Sequence, residues 1–308
     1  MVKRFIFFTF NPGKAKRNIM EALFHAFEKA RKLVDEQLEQ MLTSHHPLTD
    51  GLYKAAVYAV NGGKRIRPIF MFLSGELFEV PIERLIAPAC SVELIHTASL
   101  IMDDLPYMDD SKLRRGRPTS HLVFGQDVAL CSSVALISRS FEAILGDFQL
   151  DETTKLQIIQ VLTRSFGFDG LSGGQFVDLK LKDSEAKIEV LEFINRRKTA
   201  ALFIAAGEIA AIVGQAEMAE QEAIKKYAEY IGFAFQIIDD ILDRKGEEHV
   251  VGKNLQQDKM NFAVLVGLEE AQNYANDYTE KALQSLEIFG DRAHKLKAFS
   301  LYLLNRMA

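Results

Sequence analysis

The chain has 308 residues, of which 48% are hydrophobic and 26% charged, so it is long and apolar enough for a substantial core and too apolar for disorder. Its net charge of -5 gives no general attraction to nucleic acid or to an anionic membrane, so any anion must be held by local basic clusters. Two cysteines, Cys90 and Cys131, stand far apart without CxxC spacing, which excludes a disulfide framework or a cysteine zinc site and makes a cytoplasmic setting the expectation.

In chain order, "MVKRFIFFTF" has an apolar run too short for a signal peptide or a membrane span, so no stable membrane insertion is expected. Residues 1–19 are read as a peripheral extension, and Met20 opens the first helical pattern of a domain running from 20 to 308. His45 and His46, beside Pro47, read as loop residues. Leu52, Ala55, Ala56, Ala59 and Val60 form an apolar helical stripe. "NGGKRIRP", residues 61–68, follows; its glycines free the backbone at a helix boundary where Lys64 and Arg67 can meet phosphate oxygens, although the spacing is not that of a P-loop.

The next helix is expected to start at Pro88 and end near Asp104, almost wholly apolar until Asp103 and Asp104. Pro106 should break it, so that Asp109 folds back toward the pair; in a continuous helix Asp109 would lie about 240° away from Asp103. His96 lies two turns before Asp103 and about 20° away around the axis, which marks it as more than a core histidine. A helix from an N-cap at Ser184 to Val213, closed by Gly214, contains Lys198 within an apolar stripe, where the side chain could equally well snorkel. Gln175 and Asp178, one turn apart, are either site polar groups or a structural network.

In "FQIIDDILD", residues 235–243, Asp239 and Asp243 lie about 40° apart on a helix, and Gln236 is one turn before Asp240. The three carboxylates are expected on one side, emerging from an apolar stripe of Ile224, Tyr227, Ala228 and Ile231. Like charges so placed need a compensating cation, and hard oxygen ligands suit Mg2+, with Mn2+ the second choice. No segment alternates with period two, and the seven prolines mark no linker, so one all-α domain is the expected class.

GGKRIRP, IHTASLIMDDLPYMD with LRRGRPTSH, GGQFVDL, KTAAL and FQIIDDILD occur in an order and rough spacing that resembles the trans-isoprenyl diphosphate synthases, over about residues 20 to 308. The resemblance implies an isoprenoid-synthase fold, a single helical bundle around a deep central cavity, and a homodimer. It also implies condensation of isopentenyl diphosphate with an allylic diphosphate: dimethylallyl, geranyl or farnesyl. By motif position it makes Asp103, Asp104, Asp109, Asp239, Asp240 and Asp243 metal ligands. Lys64, Arg67, His96 and Arg115 would hold the diphosphate of isopentenyl diphosphate. Arg114, Lys198, Thr199, Gln236 and Lys253 would hold the allylic one, with Lys259 a further candidate. Of these, Asp103, Asp104, Asp109, Lys198, Asp239 and Asp240 are the expected catalytic set.

Ala98 and Ser99, one turn before the first acids, should border the channel for the growing tail. Relatives that stop at farnesyl commonly carry an aromatic there; both residues here are small, which points to geranylgeranyl diphosphate, with farnesyl diphosphate the alternative. Two departures stand out: Ser133 and Val134 replace a usual Gly-Asp context, and the loop near Asp258 and Lys259 is short. A terpene cyclase lacks a second cluster of the DDILD kind, and a non-catalytic modulating subunit generally loses one or both clusters.

Overall fold

The computed structural model describes residues 14–44, 46–244 and 260–304. His45, Lys253 and Lys259 therefore lie outside the described residues, as does most of the N-terminal extension. The architecture is all-α. Helix α1 (Lys14–Met41) starts before Met20, because Lys14, Ala15, Lys16 and Arg17 are good helix formers that an apolar pattern does not register. It is followed by α2 (Asp50–Val60), α3 (Ile66–Leu77) and α4 (Glu83–Asp103). His46 accepts a hydrogen bond from the Leu48 backbone N–H and opens a short 3-10 turn, as a loop residue should.

Helix α4 begins before Pro88, which sits inside it rather than in its first turn. The extra turn is anchored by Leu85, buried so close to Gly75 that a Cβ there would come within 2.3 Å of it. Tertiary burial outweighs the hydrogen bond that Pro88 cannot donate.

Strands β1 (Leu113–Arg114) and β2 (Arg117–Pro118) make a tight antiparallel hairpin, too short for any alternation of period two to show. Its central residues, Arg115 and Gly116, have φ of 54° and 71°, the pattern of a turn that demands positive φ at both positions. Then come α5 (Ser120–Phe124), α6 (Gln126–Leu145), α7 (Glu152–Phe166) and α8 (Leu171–Lys180).

The helix expected from Ser184 to Val213 is composite. Ser184 lies in a 3-10 turn, α9 (Ile188–Asn195) starts after Lys187, a π-helical turn spans Arg196–Ala200, and α10 (Ala201–Val213) ends at Gly214. The chain closes with α11 (Met218–Arg244), α12 (Phe262–Val266), α13 (Leu268–Ser285) and α14 (His294–Leu304).

Two apolar clusters hold the bundle, and α11 belongs to both. Its first half, through Ile224, Tyr227 and Ile231, joins the large core of α3, α4, α7 and α10. There Phe70 packs against Phe203, Tyr227 and Phe299 at centroid distances of 5.8, 5.8 and 5.9 Å. Its second half, through Phe233, Ile237 and Ile241, packs on Phe262, Ala271, Ala275 and Tyr278. Because two cores grip one helix, the acids at its C-terminal end have a fixed rotation about the axis.

Helices α4 and α6 are both long and apolar enough to cross a membrane, but the apolar windows differ, 72% buried in α4 and 33% in α6. The first is core. The second leaves Leu130 and Val134 exposed on one face, beside Leu122 and Val123 of α5.

Candidate active site

Helix α4 stops where Pro106 requires it to, and the chain turns back: the Asp109 N–H donates to the Asp103 carbonyl at 2.9 Å. This is the fold-back expected from the proline. Asp104 takes the Arg114 guanidinium through Nη2 at 2.6 Å and Nε at 3.1 Å. Burial pushes the Asp103 carboxyl up to about 6, against the pull of Lys198 and with the push of Asp109. Asp104 is raised as well, again chiefly by burial, with Arg114 opposing.

The second acidic group does not present all three carboxylates on one side. Asp240 is buried; it accepts from the Gln236 amide at 2.8 Å and from the Phe262 backbone N–H at 3.2 Å. Asp239 and Asp243 are only partly buried. The cause is rotational: successive residues on a helix differ by about 100°, so Asp240 turns toward α12 while Asp239 and Asp243 stay together.

The π-helical turn connects the two acidic walls. Lys198 Nζ bonds Asp178 at 2.7 Å and lies in the fields of Asp103 and Asp109, so it answers to the first wall. Its neighbour Thr199 donates to Gln236 Oε1 at 2.7 Å and answers to the second. The turn is held between two glycines. A Cβ on Gly174 would meet Arg197 Cβ and Lys198 N at 2.8 Å, and one on Gly232 would meet Ala200 Cβ at 2.7 Å. Gln175, one turn before Asp178, is buried with neither amide atom paired among the described residues.

A basic corner lies across from these. Arg67, buried at 8% exposure, approaches His96 Nε2 with Nη1 at 3.3 Å and places its guanidinium 5.0 Å from the Phe203 ring centre. Burial, with Arg115 nearby, brings Arg67 down to about 10, while Glu93 and Asp239 oppose. Asp239 of the second acidic wall is thus near enough for its charge to act on Arg67. His96 is held well below the usual imidazole value by burial and by Arg67, Arg115, Arg114 and Arg65, so it is uncharged at neutral pH. Arg115 donates to the carbonyls of Ala59, Val60 and Asn61 at 2.8, 3.1 and 3.2 Å, which closes the C-terminal end of α2.

Ala98 and Ser99 are buried in α4, and Ser133 of α6 donates to the Ala98 carbonyl at 3.2 Å. The position at which the sequence departs from the family pattern therefore touches the helix at the level of the expected channel floor.

A model of the polyprenyl synthetase family matches residues 49–300. The chain belongs to that family. It is 38% identical over 282 residues to geranylgeranyl pyrophosphate synthase 7 of Arabidopsis thaliana, covering 89% of this chain and 81% of the relative. It is 39% identical over 259 residues to the farnesyl diphosphate synthase of Escherichia coli K12, covering 80% and 86%. The structure of an FPP/GFPP synthase from Zymomonas mobilis matches with a TM-score of 0.85 at 32% identity, over 92% of this chain and 99% of that one. The expected all-α isoprenoid-synthase class stands, and the chain is a prenyl-transferring enzyme of the isoprenyl diphosphate synthase kind.

Among the described residues, no three Asp, Glu, His or Cys side chains converge closely enough to hold a metal by themselves. The donor set nonetheless fits a divalent cation that takes one or two carboxylates and completes its shell with water and phosphate oxygens. Asp103 is raised by burial, which outweighs the pull of Lys198 and Arg114, and a cation at this carboxylate would offset that cost. The structure brings Arg67, His96, Arg114, Arg115, Lys198, Thr199 and Gln236 to this region with the acids. Sequence reasoning gave no role to Arg65 or Glu93, which form a buried pair at 2.7 Å behind the corner. A signal was there: Glu93 is the one acid between Pro88 and Asp103, one turn before His96.

Proposed function

We propose that this chain condenses isopentenyl diphosphate head-to-tail with an allylic diphosphate, with geranylgeranyl diphosphate as the main product. The observation that carries the reading is the pair Lys198 and Thr199, adjacent residues that answer to opposite acidic walls across from the Arg67–His96 corner. Such a site can hold two diphosphates at once, one between the walls and one at the corner.

Asp103, Asp109, Asp239 and Asp243 would hold Mg2+ ions, with Mn2+ as a substitute, and the metal supplies Lewis-acid charge to the leaving diphosphate. Lys198 and Arg114 add preplaced positive charge where negative charge develops as the allylic carbon to oxygen bond breaks. Arg67, Lys64 and Arg115 hold the second diphosphate, and His96 contributes a hydrogen-bonding ring without further charge. Apolar surfaces of α4 and α10 exclude water from the allylic cation. The double bond of isopentenyl diphosphate attacks that cation, one carbon to carbon bond forms, and the proton lost from the adjacent carbon passes to the departed diphosphate. Asp240 and Gln236 act by holding Thr199 in place.

Small residues at Ala98 and Ser99 support the longer product over farnesyl diphosphate. The exposed apolar face of α5 and α6, with Leu130 and Val134 at 42% and 60% exposure, supports a homodimer. Two free thiols, Cys90 and the exposed Cys131, support a cytoplasmic setting. Incubation with Mg2+, isopentenyl diphosphate and each of the three allylic starters, followed by sizing of the dephosphorylated alcohols, tests the reading. A twenty-carbon alcohol agrees with it, a cyclic hydrocarbon or no product contradicts it, and size-exclusion mass measurement tests the dimer.

A further inference from the structure

Glu93 has an arrangement that its place in an apolar helix does not explain. Its side chain is 2% exposed, yet its Oε1 accepts from Arg65 Nη1 at 2.7 Å and stands 3.9 Å from Arg115 Nη2. The loop before α3 closes on the same atoms: a Cβ on Gly63 would fall 2.5 Å from Arg65 Nη1, 3.0 Å from Arg115 Nη2 and 3.0 Å from Glu93 Oε1. On its other side, Arg65 Nε donates to Asp35 of α1 at 2.7 Å. Arg65 and Arg115 both have left-handed backbones, with φ of 55° and 54°. Such conformations persist only where the surroundings over-determine them, and Glu93 is the group that both arginines share.

We propose that Glu93 is a positioning residue for the diphosphate of isopentenyl diphosphate: by fixing Arg65 and Arg115 it fixes the loop that carries Lys64 and leads into Arg67 in the first turn of α3. The proposal rests on the condensing function described above. Asp35 completes the brace, so the first long helix is part of the site's scaffold. Arg65 and Arg67 are at 3% and 8% exposure, and buried cations need paired charge to stay buried. Glu93 is the buried carboxylate that Arg65, Arg67 and Arg115 all feel. Without it, mutual repulsion turns the guanidiniums toward solvent and the loop loses its shape. With it, the corner keeps a surplus of positive charge suited to a diphosphate.

The test compares the native protein with Glu93→Gln, Glu93→Asp and Arg65→Lys. KM for isopentenyl diphosphate, KM for the allylic substrate and kcat are measured, together with calorimetric binding of inorganic diphosphate without divalent cation. Glu93→Gln should raise KM for isopentenyl diphosphate about tenfold or more, with the allylic KM changed less than about twofold, and weaken metal-free diphosphate binding comparably. Glu93→Asp should recover part of the loss. Simple charge counting predicts the reverse, because deleting a carboxylate makes the corner more positive; unchanged or tighter diphosphate binding therefore overturns the proposal. Equal rises in both KM values also overturn it, as they would report general damage. If Glu93→Gln does not fold, Arg65→Lys decides the question, since lysine keeps the charge but cannot span Glu93 and Asp35; the same selective rise is expected. A native protein that binds diphosphate in a Glu93-dependent way yet condenses nothing would refute the functional reading and leave the positioning role intact. Normal condensation by Glu93→Gln would do the opposite.

Discussion

The two acidic walls are built differently. The first stands at a helix C-terminus broken by Pro106, and its carboxylates are matched by fixed cations: Arg114 on Asp104, and Lys198 in the field of Asp103 and Asp109. The second stands near the end of a helix clamped by two cores, and its buried member, Asp240, accepts from the Gln236 amide and the Phe262 backbone N–H. Fixed cations face the first wall, whereas in the second the buried Asp240 is tied to neighbouring backbone and amide groups, with Asp239 and Asp243 only partly buried. Identical residue types in similar motifs thus divide into ligand candidates and scaffold according to helix rotation.

The difference can be broken first at its strongest point. Lys198→Met removes the cation that serves the first wall, and kcat should fall about 100-fold with little change in the unfolding midpoint, measured by steady-state turnover and thermal denaturation. A loss below about threefold would mean that Lys198 only braces Asp178. In the second wall, Asp240→Ala leaves the Gln236 amide and the Phe262 N–H unpaired, which should cost about 1–3 kcal/mol of stability in denaturant titration. Asp239→Ala should leave stability within about 0.5 kcal/mol. Equal losses would erase the distinction between scaffold and ligand candidate.

Acidity sharpens the comparison further. In the folded chain Asp103 keeps its proton up to about 6 instead of 3.8. Its contribution to stability is therefore complete below the unfolded value and is lost as pH rises through the folded one. In metal-free buffer the midpoint difference between native protein and Asp103→Asn should widen from pH 4 toward neutrality, with the variant the more stable by on the order of 3 kcal/mol. A pH-independent difference contradicts this. The smallest expected effect on rate comes from Ala98→Tyr, which should shorten the product while changing kcat less than about tenfold, read from the chain length of the released alcohols. An unaltered product distribution would displace the channel floor from this position.

Much of the site was legible because its signals are local. Proline and glycine punctuate the chain whatever surrounds them, so the break after Asp104 and the loop before Arg67 are readable from residue type alone. The motif order carried the family. What escaped depends on contacts distant in sequence. The early start of α4 needs Leu85 on Gly75, the π-helical turn needs Gly174 and Gly232 on either side, and Glu93 acquires meaning only when Arg65 and Arg115 arrive from two other segments. The rotation that separates Asp240 from Asp239 was calculable from helix geometry, but which side faces α12 was not.

The central claim is that the two walls act together on one diphosphate through divalent cations. Its most direct test is calorimetric binding of an unreactive allylic thiodiphosphate, with and without Mg2+, to the native protein, Asp103→Asn and Asp239→Asn. Mg2+-dependent binding to the native protein, weakened about 100-fold or more by either substitution alone, is the predicted result. Binding that survives chelation, or that depends on one wall and ignores the other, would contradict it.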